Sequence, residues 1–125
     1  MKLEFESESD KITYAEWKAR LIDQMYGDGI ELHHDLYELS HAHRLEHGET
    51  DCSVWPSPPY RAPLWRLLAE IVEARRFLEV GCGLGYTAAL MAGANPDSQV
   101  DTIENVALHA DLAERELSQR GLAHR

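Results

Sequence analysis

Two cysteines in 125 residues are too few for a disulfide framework, and the spacing of Cys52 and Cys82 matches no zinc pattern. They read as reduced thiols. No apolar run is long enough to cross a bilayer, so no membrane partner is expected. The opening MKLEFESESD is acidic and lacks the apolar stretch of a secretory signal, which makes the cytoplasm the expected compartment. Positive charge is scarce: 12 Lys and Arg stand against 22 Asp and Glu, a formal charge of −10. Such a surface repels phosphate backbones and argues against nucleic acid. What remains is an ordinary globular balance, 44% hydrophobic and 27% charged, at a length suited to one modest domain.

The apolar residues are arranged in periods. Tyr14, Trp17, Leu21 and Met25 recur at helical steps until Gly27-Asp28-Gly29 breaks the pattern. Leu32, Leu36, Leu39, Ala42 and Leu45 form a second helical stripe, with Gly48 at the position of a C-terminal cap. Four of the five prolines fall in the aperiodic stretch 49–63, which reads as a linker or surface loop. Leu64, Leu67, Leu68, Ile71 and Val72 give the cleanest helical stripe, and Arg75 and Arg76 near its end suit the negative pole of a helix dipole. An α/β pattern follows. It has a strand at about 76–80, a helix at 85–93, a turn at Asn95-Pro96-Asp97, a strand near 99–103, and a helix at 106–120 carrying Leu108, Leu112 and Leu117 and stopping at Gly121. The expected division is a helical segment with its proline-rich loop (1–63) ahead of an α/β unit (64–125).

Glycine is rationed, with eight in the whole chain, yet Gly81, Gly83 and Gly85 alternate directly after the first strand in FLEVGCGLGYTA. Glycines there let the backbone adopt conformations closed to other residues and keep a Cβ out of the way of a ligand. The bland alternative is a tight turn serving only helix–strand packing. The dinucleotide fingerprint G-x-G-x-x-G does not fit, because the third glycine arrives one position early and Tyr86 stands in its place. Glu79, two residues before Gly81, is awkward beside a pyrophosphate and suits a ligand with a cationic end. Glu104 ends the second strand, where a carboxylate can accept ribose hydroxyls. An acid for a positive methionyl end, a glycine turn and an acid for a ribose together describe S-adenosylmethionine.

These residues carry a family resemblance. RFLEVGCGLGYTAALMA resembles the first strand, glycine loop and first helix of class I S-adenosylmethionine-dependent methyltransferases. PDSQVDTIENVALHADLAERELSQRGLAHR resembles the second strand and helix of their O-methyltransferase branch. The Gly-Tyr start of the helix is also similar to protein-isoaspartate methyltransferases, whose upstream pattern is absent here. The resemblance covers the last 50 residues or so and implies a Rossmann-like α/β fold that ends after its second strand and helix. It implies a cofactor loop of Glu79, Gly81, Cys82, Gly83, Gly85 and Tyr86, with Glu104 on the ribose and Asn105 facing the adenine. Cys82 then presents its backbone rather than a nucleophilic thiol. The implied activity is O-methyl transfer to a small-molecule acceptor. Gly83→Val is expected to block the cofactor by filling the space that the backbone leaves.

The resemblance further implies strands that this chain does not hold, so a truncated product with little activity of its own is expected. The two open edges of a two-stranded parallel sheet would otherwise call for a homodimer. Two other readings stand beside the enzyme: a non-catalytic remnant or binding module, and a nicotinamide-dependent oxidoreductase. Five of seven histidines lie within 33–47. His43 and His47, four apart, read as a solvated polar face, and no metal is expected. Trp55, Tyr60 and Trp65 flank the prolines, either roofing a ligand or, the reading preferred here, anchoring the N-terminal helices to the sheet.

Overall fold

The structure, a computed structural model, describes residues 33–48 and 51–125; the expected helix of Tyr14, Trp17, Leu21 and Met25 and the glycine break after it lie outside the described residues. The elements are α1 (His34–His47), α2 (Ala62–Ile71), β1 (Arg76–Val80), α3 (Tyr86–Ala92), β2 (Gln99–Ile103) and α4 (Ala107–Gln119). β1 and β2 pair in parallel from Arg76↔Gln99 to Val80↔Ile103, with α3 as their crossover. Glu31–Arg125 form one compact unit. Among the described residues no helix is long and apolar enough to cross a membrane.

α3 is the centre of the core. Its sequence YTAALMA has almost no polar face, and Tyr86, Ala88, Ala89, Leu90, Met91 and Ala92 are all buried. A helix apolar on every side must be surrounded. Leu36 of α1, Cys52 and Val54 of the following loop, Ala69 of α2, and the half-buried Phe77, Val100, Leu112 and Leu117 pack round it. α1 and the loop after it thus share one core with α2, α3, α4 and the strands.

Strand positions fall where the alternation and glycine breaks put them, but two helical stripes face inward only in part. On α1, Leu39 and Leu45 are exposed, while Leu36 and Ser40 are buried and His43 half-buried. The serine hydroxyl satisfies itself on the Leu36 carbonyl at 2.8 Å, which lets a polar residue occupy the inner face. On α2, Leu64, Leu68 and Ile71 are exposed, as is Val72 just past its end, Leu67 is half-buried, and among the described side chains of the helix only Ala69 is buried. Arg75 and Arg76 lie beyond the end of α2 and cap nothing. They pair instead with Asp97 (2.9 Å) and Asp101 (3.4 Å) along the sheet. Leu78, Val80 and Ile103 are exposed as well, since among the described residues the sheet has two strands.

Glycine ends two helices as expected. Gly48 (φ 83°) closes α1. Past α4, Gly121 (φ 68°) donates to the Ser118 carbonyl and Leu122 to the Leu117 carbonyl, a Schellman arrangement. The chain then returns to β2, whose Val100 N–H donates to the Arg125 carbonyl at 2.6 Å.

Gly85 and Gly121 separate two costs. Both have positive φ, but a Cβ on Gly85 would come within 3.1 Å of Leu117, whereas one on Gly121 meets nothing within 4 Å. Gly121→Ala is expected to lose about 1 kcal/mol through backbone strain alone. Gly85→Ala adds overpacking, for a loss of roughly 2–4 kcal/mol. Equilibrium denaturation of both variants checks the difference.

Candidate functional site

Because β1 and β2 are parallel and in register, the loops that leave them emerge side by side at the carboxyl end of the sheet. The first is the glycine loop. Gly81, Gly83 and Gly85 all take positive φ (84°, 53° and 87°), which side-chain-bearing residues rarely adopt, and Gly85 caps the start of α3. Their surroundings differ. A Cβ on Gly81 would meet nothing within 4 Å, one on Gly83 would meet Val54 at 3.3 Å, and one on Gly85 would meet Leu117. Gly81 therefore borders open space, while Gly83 and Gly85 allow close packing of the proline-containing loop and of α4. A side chain at Gly83 would meet Val54 first.

A cavity of about 310 Å³ opens at this end of the sheet. Glu79, Gly81, Cys82, Gly83, Tyr86, Glu104 and Asn105 line it; of the residues singled out in the sequence only Gly85, turned toward Leu117, does not. Ser40, Ser53, Trp55 and Thr87 also line it and were not assigned from the sequence. Trp55 is 68% exposed and carries the Arg44 guanidinium on its ring, so it borders the cavity and does not serve as the buried anchor preferred from the sequence. Tyr60 and Trp65 are exposed too. The signal that could have favoured the roof was the tryptophan's setting between Ser53 and Pro56, a loop that gives an aromatic ring no core face.

The two carboxylates face opposite conditions. Glu104 is held by the chain: its Oε2 accepts the Gly83 N–H and its Oε1 the Val106 N–H, each at 3.0 Å. Burial alone would raise its pKa, but the N–H groups of Val106, Gly83 and Asn105 outweigh that and hold the carboxyl below its ordinary value. Glu79 has no such support. Its Oε2 is buried without a hydrogen-bond partner, and burial, with the nearby Glu104 charge, pushes its pKa up to about 7. One wall thus carries a fixed anion and a second acid that ionises near neutrality.

The neighbouring groups are not nucleophiles. Burial, opposed only in part by Thr102, raises the Cys82 thiol, and the charges of Glu79 and Glu104 raise it further. Tyr86 is buried against Tyr37, ring centroids 5.5 Å apart, with its hydroxyl unpartnered and its pKa raised by burial. The site can bind and orient a ligand with a positive end, and neither the Cys82 thiol nor the Tyr86 phenol is activated as a nucleophile.

No protein-family model matches the chain. Two enzymes share its sequence in part. It is 40% identical over 60 residues to a catechol O-methyltransferase of Mycobacterium tuberculosis, a match covering 47% of this chain and 27% of that enzyme. It is 35% identical over 69 residues to a protein-L-isoaspartate O-methyltransferase of Methanococcoides burtonii, covering 54% of this chain and 34% of that enzyme. Among solved structures, the O-methyltransferase TomG of Streptomyces achromogenes, in complex with S-adenosylmethionine, superposes with a TM-score of 0.62 at 28% identity, over 90% of this chain and 49% of that one. An O-methyltransferase of Bacillus cereus in complex with S-adenosylhomocysteine gives a TM-score of 0.64 at 23% identity, over 89% and 49%. The chain therefore spans about half the length of the structures it matches.

Two outcomes follow for the ligand-free chain. Glu104→Ala leaves the Gly83 and Val106 N–H groups without their acceptor and is expected to cost about 1–3 kcal/mol in urea denaturation, with Glu104→Gln losing less. For Glu79 the folded pKa, about 7, lies above the ordinary 4.5, so the unfolded chain gives up its proton first as pH rises. Stability should therefore fall between about pH 4.5 and 7, and Glu79→Gln should flatten that part of the pH–stability curve.

Proposed function

We propose that this chain, which carries the Rossmann-like fold of the N-terminal portion of class I O-methyltransferases, binds S-adenosylmethionine in the cavity at the ends of β1 and β2. In this reading it serves O-methyl transfer to a small-molecule acceptor. The observation that carries the reading is the unpartnered Glu79 carboxyl beside the fixed Glu104 carboxylate in a cavity bordered by Gly81. A pyrophosphate would set further negative charge beside both acids, which argues against a nicotinamide dinucleotide. A ligand with a cationic end offsets them.

Each residue then has a role. Glu79 faces the positive methionyl end, and Gly81, lacking a Cβ, leaves room for the ligand against the backbone. Glu104 spends one lone pair of each oxygen on the chain and keeps the others for two ribose hydroxyls. Asn105 lies beside it for the adenine, while Cys82, Gly83 and Tyr86 shape the wall. Gly85 acts at one remove, by seating α3 against Leu117. The cofactor supplies an electrophilic methyl on a sulfonium, and the chain's contribution is orientation and charge rather than covalent catalysis. Two unpaired thiols, Cys52 and Cys82, support a reducing, cytoplasmic setting.

Calorimetric titration with S-adenosylmethionine, S-adenosylhomocysteine and NAD tests the reading. The first two should bind and NAD should not; NAD binding without the others would overturn it. Because a cationic ligand favours ionised Glu79, binding near pH 7 should release a proton, and affinity should rise as pH passes through about 7. Glu79→Gln should abolish the proton release, seen as loss of the dependence on buffer ionisation enthalpy.

A further inference from the structure

A second cluster has no part in the cavity just described. His43 of α1, Cys52 of the following loop and His109 of α4 place their ligating atoms all within 4.8 Å of one another. The Cys52 Sγ lies 4.0 Å from the His109 Nε2, and the rings of His43 and His109 meet edge-on with centroids 5.1 Å apart. Cys52 and His109 are buried and His43 is half-buried. Two ring nitrogens here, His43 Nε2 and His109 Nδ1, are buried without a hydrogen-bond partner. Buried imidazole nitrogens normally find one, and leaving each unmet costs about 1–3 kcal/mol. One ring nitrogen of each histidine and the Cys52 sulfur thus converge within 4.8 Å, and neither ring has its full set of partners.

We propose that His43, Cys52 and His109 bind a single zinc-class divalent cation. Two imidazoles and a thiolate are the borderline-soft donors such ions select, in a three-ligand set that leaves a fourth position for water on the open side of His43. Nitrogen and sulfur ligands of a tetrahedral ion sit roughly 3.3–3.6 Å apart, so the side chains need to close in by about 1 Å. Binding breaks the Cys52 S–H bond, forms a metal–sulfur bond and sends the proton to solvent. The ion would fasten the Cys52 loop to α4. That loop holds Val54 over Gly83 and Trp55 at the cavity wall. The site differs from the His43 and His47 pair on the surface of α1, because its other ligands come from beyond the helix.

The test uses the whole chain, stripped of metal and titrated with Co(II). The expected result is one ion per chain, with a thiolate-to-cobalt charge-transfer band and the intense visible bands of tetrahedral Co(II), both removed by equimolar Zn(II). Cys52→Ser should lose the charge-transfer band, whereas Cys82→Ser should keep it. His43→Asn, at a half-exposed position where the fold is expected to survive, should weaken binding about tenfold or more, with an unchanged far-ultraviolet spectrum as control. Absence of the charge-transfer band in the parent chain, or its persistence in Cys52→Ser, would overturn the proposal. Binding lost in His47→Asn but kept in His109→Asn would also overturn it, by placing the ion on the surface pair.

Discussion

The Glu104 carboxylate is the interaction on which this end of the molecule depends. One oxygen accepts the Gly83 N–H and the other the Val106 N–H, so a single side chain fastens the glycine loop after β1 to the start of α4 after β2. Both N–H groups sit in segments that make no regular ladder bond there, and an ionised acceptor is the strongest partner available to them. The charge is retained because the backbone donors outweigh its burial. Glu79 shows what happens without such donors, since the same residue type a short distance away stays part-protonated near neutrality. The contrast between the two acids is therefore made first by the deeper burial of Glu79 and then by the backbone donors that Glu104 receives.

The glycine loop divides three tasks among residues that look equivalent in the sequence. All three release the backbone into positive φ, and Gly81 and Gly83 both line the cavity, but only on Gly81 would a Cβ meet nothing within 4 Å. Gly83 admits Val54, and Gly85 admits Leu117. Ligand-facing space and core packing are thus set by neighbouring turns of one short loop. A change at Gly85 would reach the cavity only through the position of α3.

Apolar surface remains on two sides. Leu64, Leu68, Ile71 and Val72 of α2 and Leu78, Val80 and Ile103 of the sheet are exposed, although the core round α3 is tightly filled. The reason is geometric. α3 is short and nearly all apolar, and Leu36 of α1, Ala69 of α2 and the Cys52–Val54 loop cover it, while Leu64, Leu68 and Ile71 of α2 stay exposed.

The local chain dictated both strands, the glycine turn between them and the helix stops at Gly48 and Gly121. Each of these rests on neighbours in sequence: alternation, loss of a Cβ, or a positive φ that glycine alone takes easily. The pairing of Glu79 and Glu104 was legible for the same reason, since parallel strands bring their ends together. Which face of each helix would be buried was not legible. The leucine stripes were right only in part, with Leu36 buried and Leu67 half-buried but Leu39, Leu45, Leu64 and Leu68 exposed, because burial is decided by what packs against a helix and not by its own period. Nor could periodicity place Ser53 and Trp55, which lie in an aperiodic loop, at the cavity. The cluster of His43, Cys52 and His109 lay beyond any local pattern, with Cys52 and His109 separated by 57 residues and joined only when α1 and α4 close over the same loop.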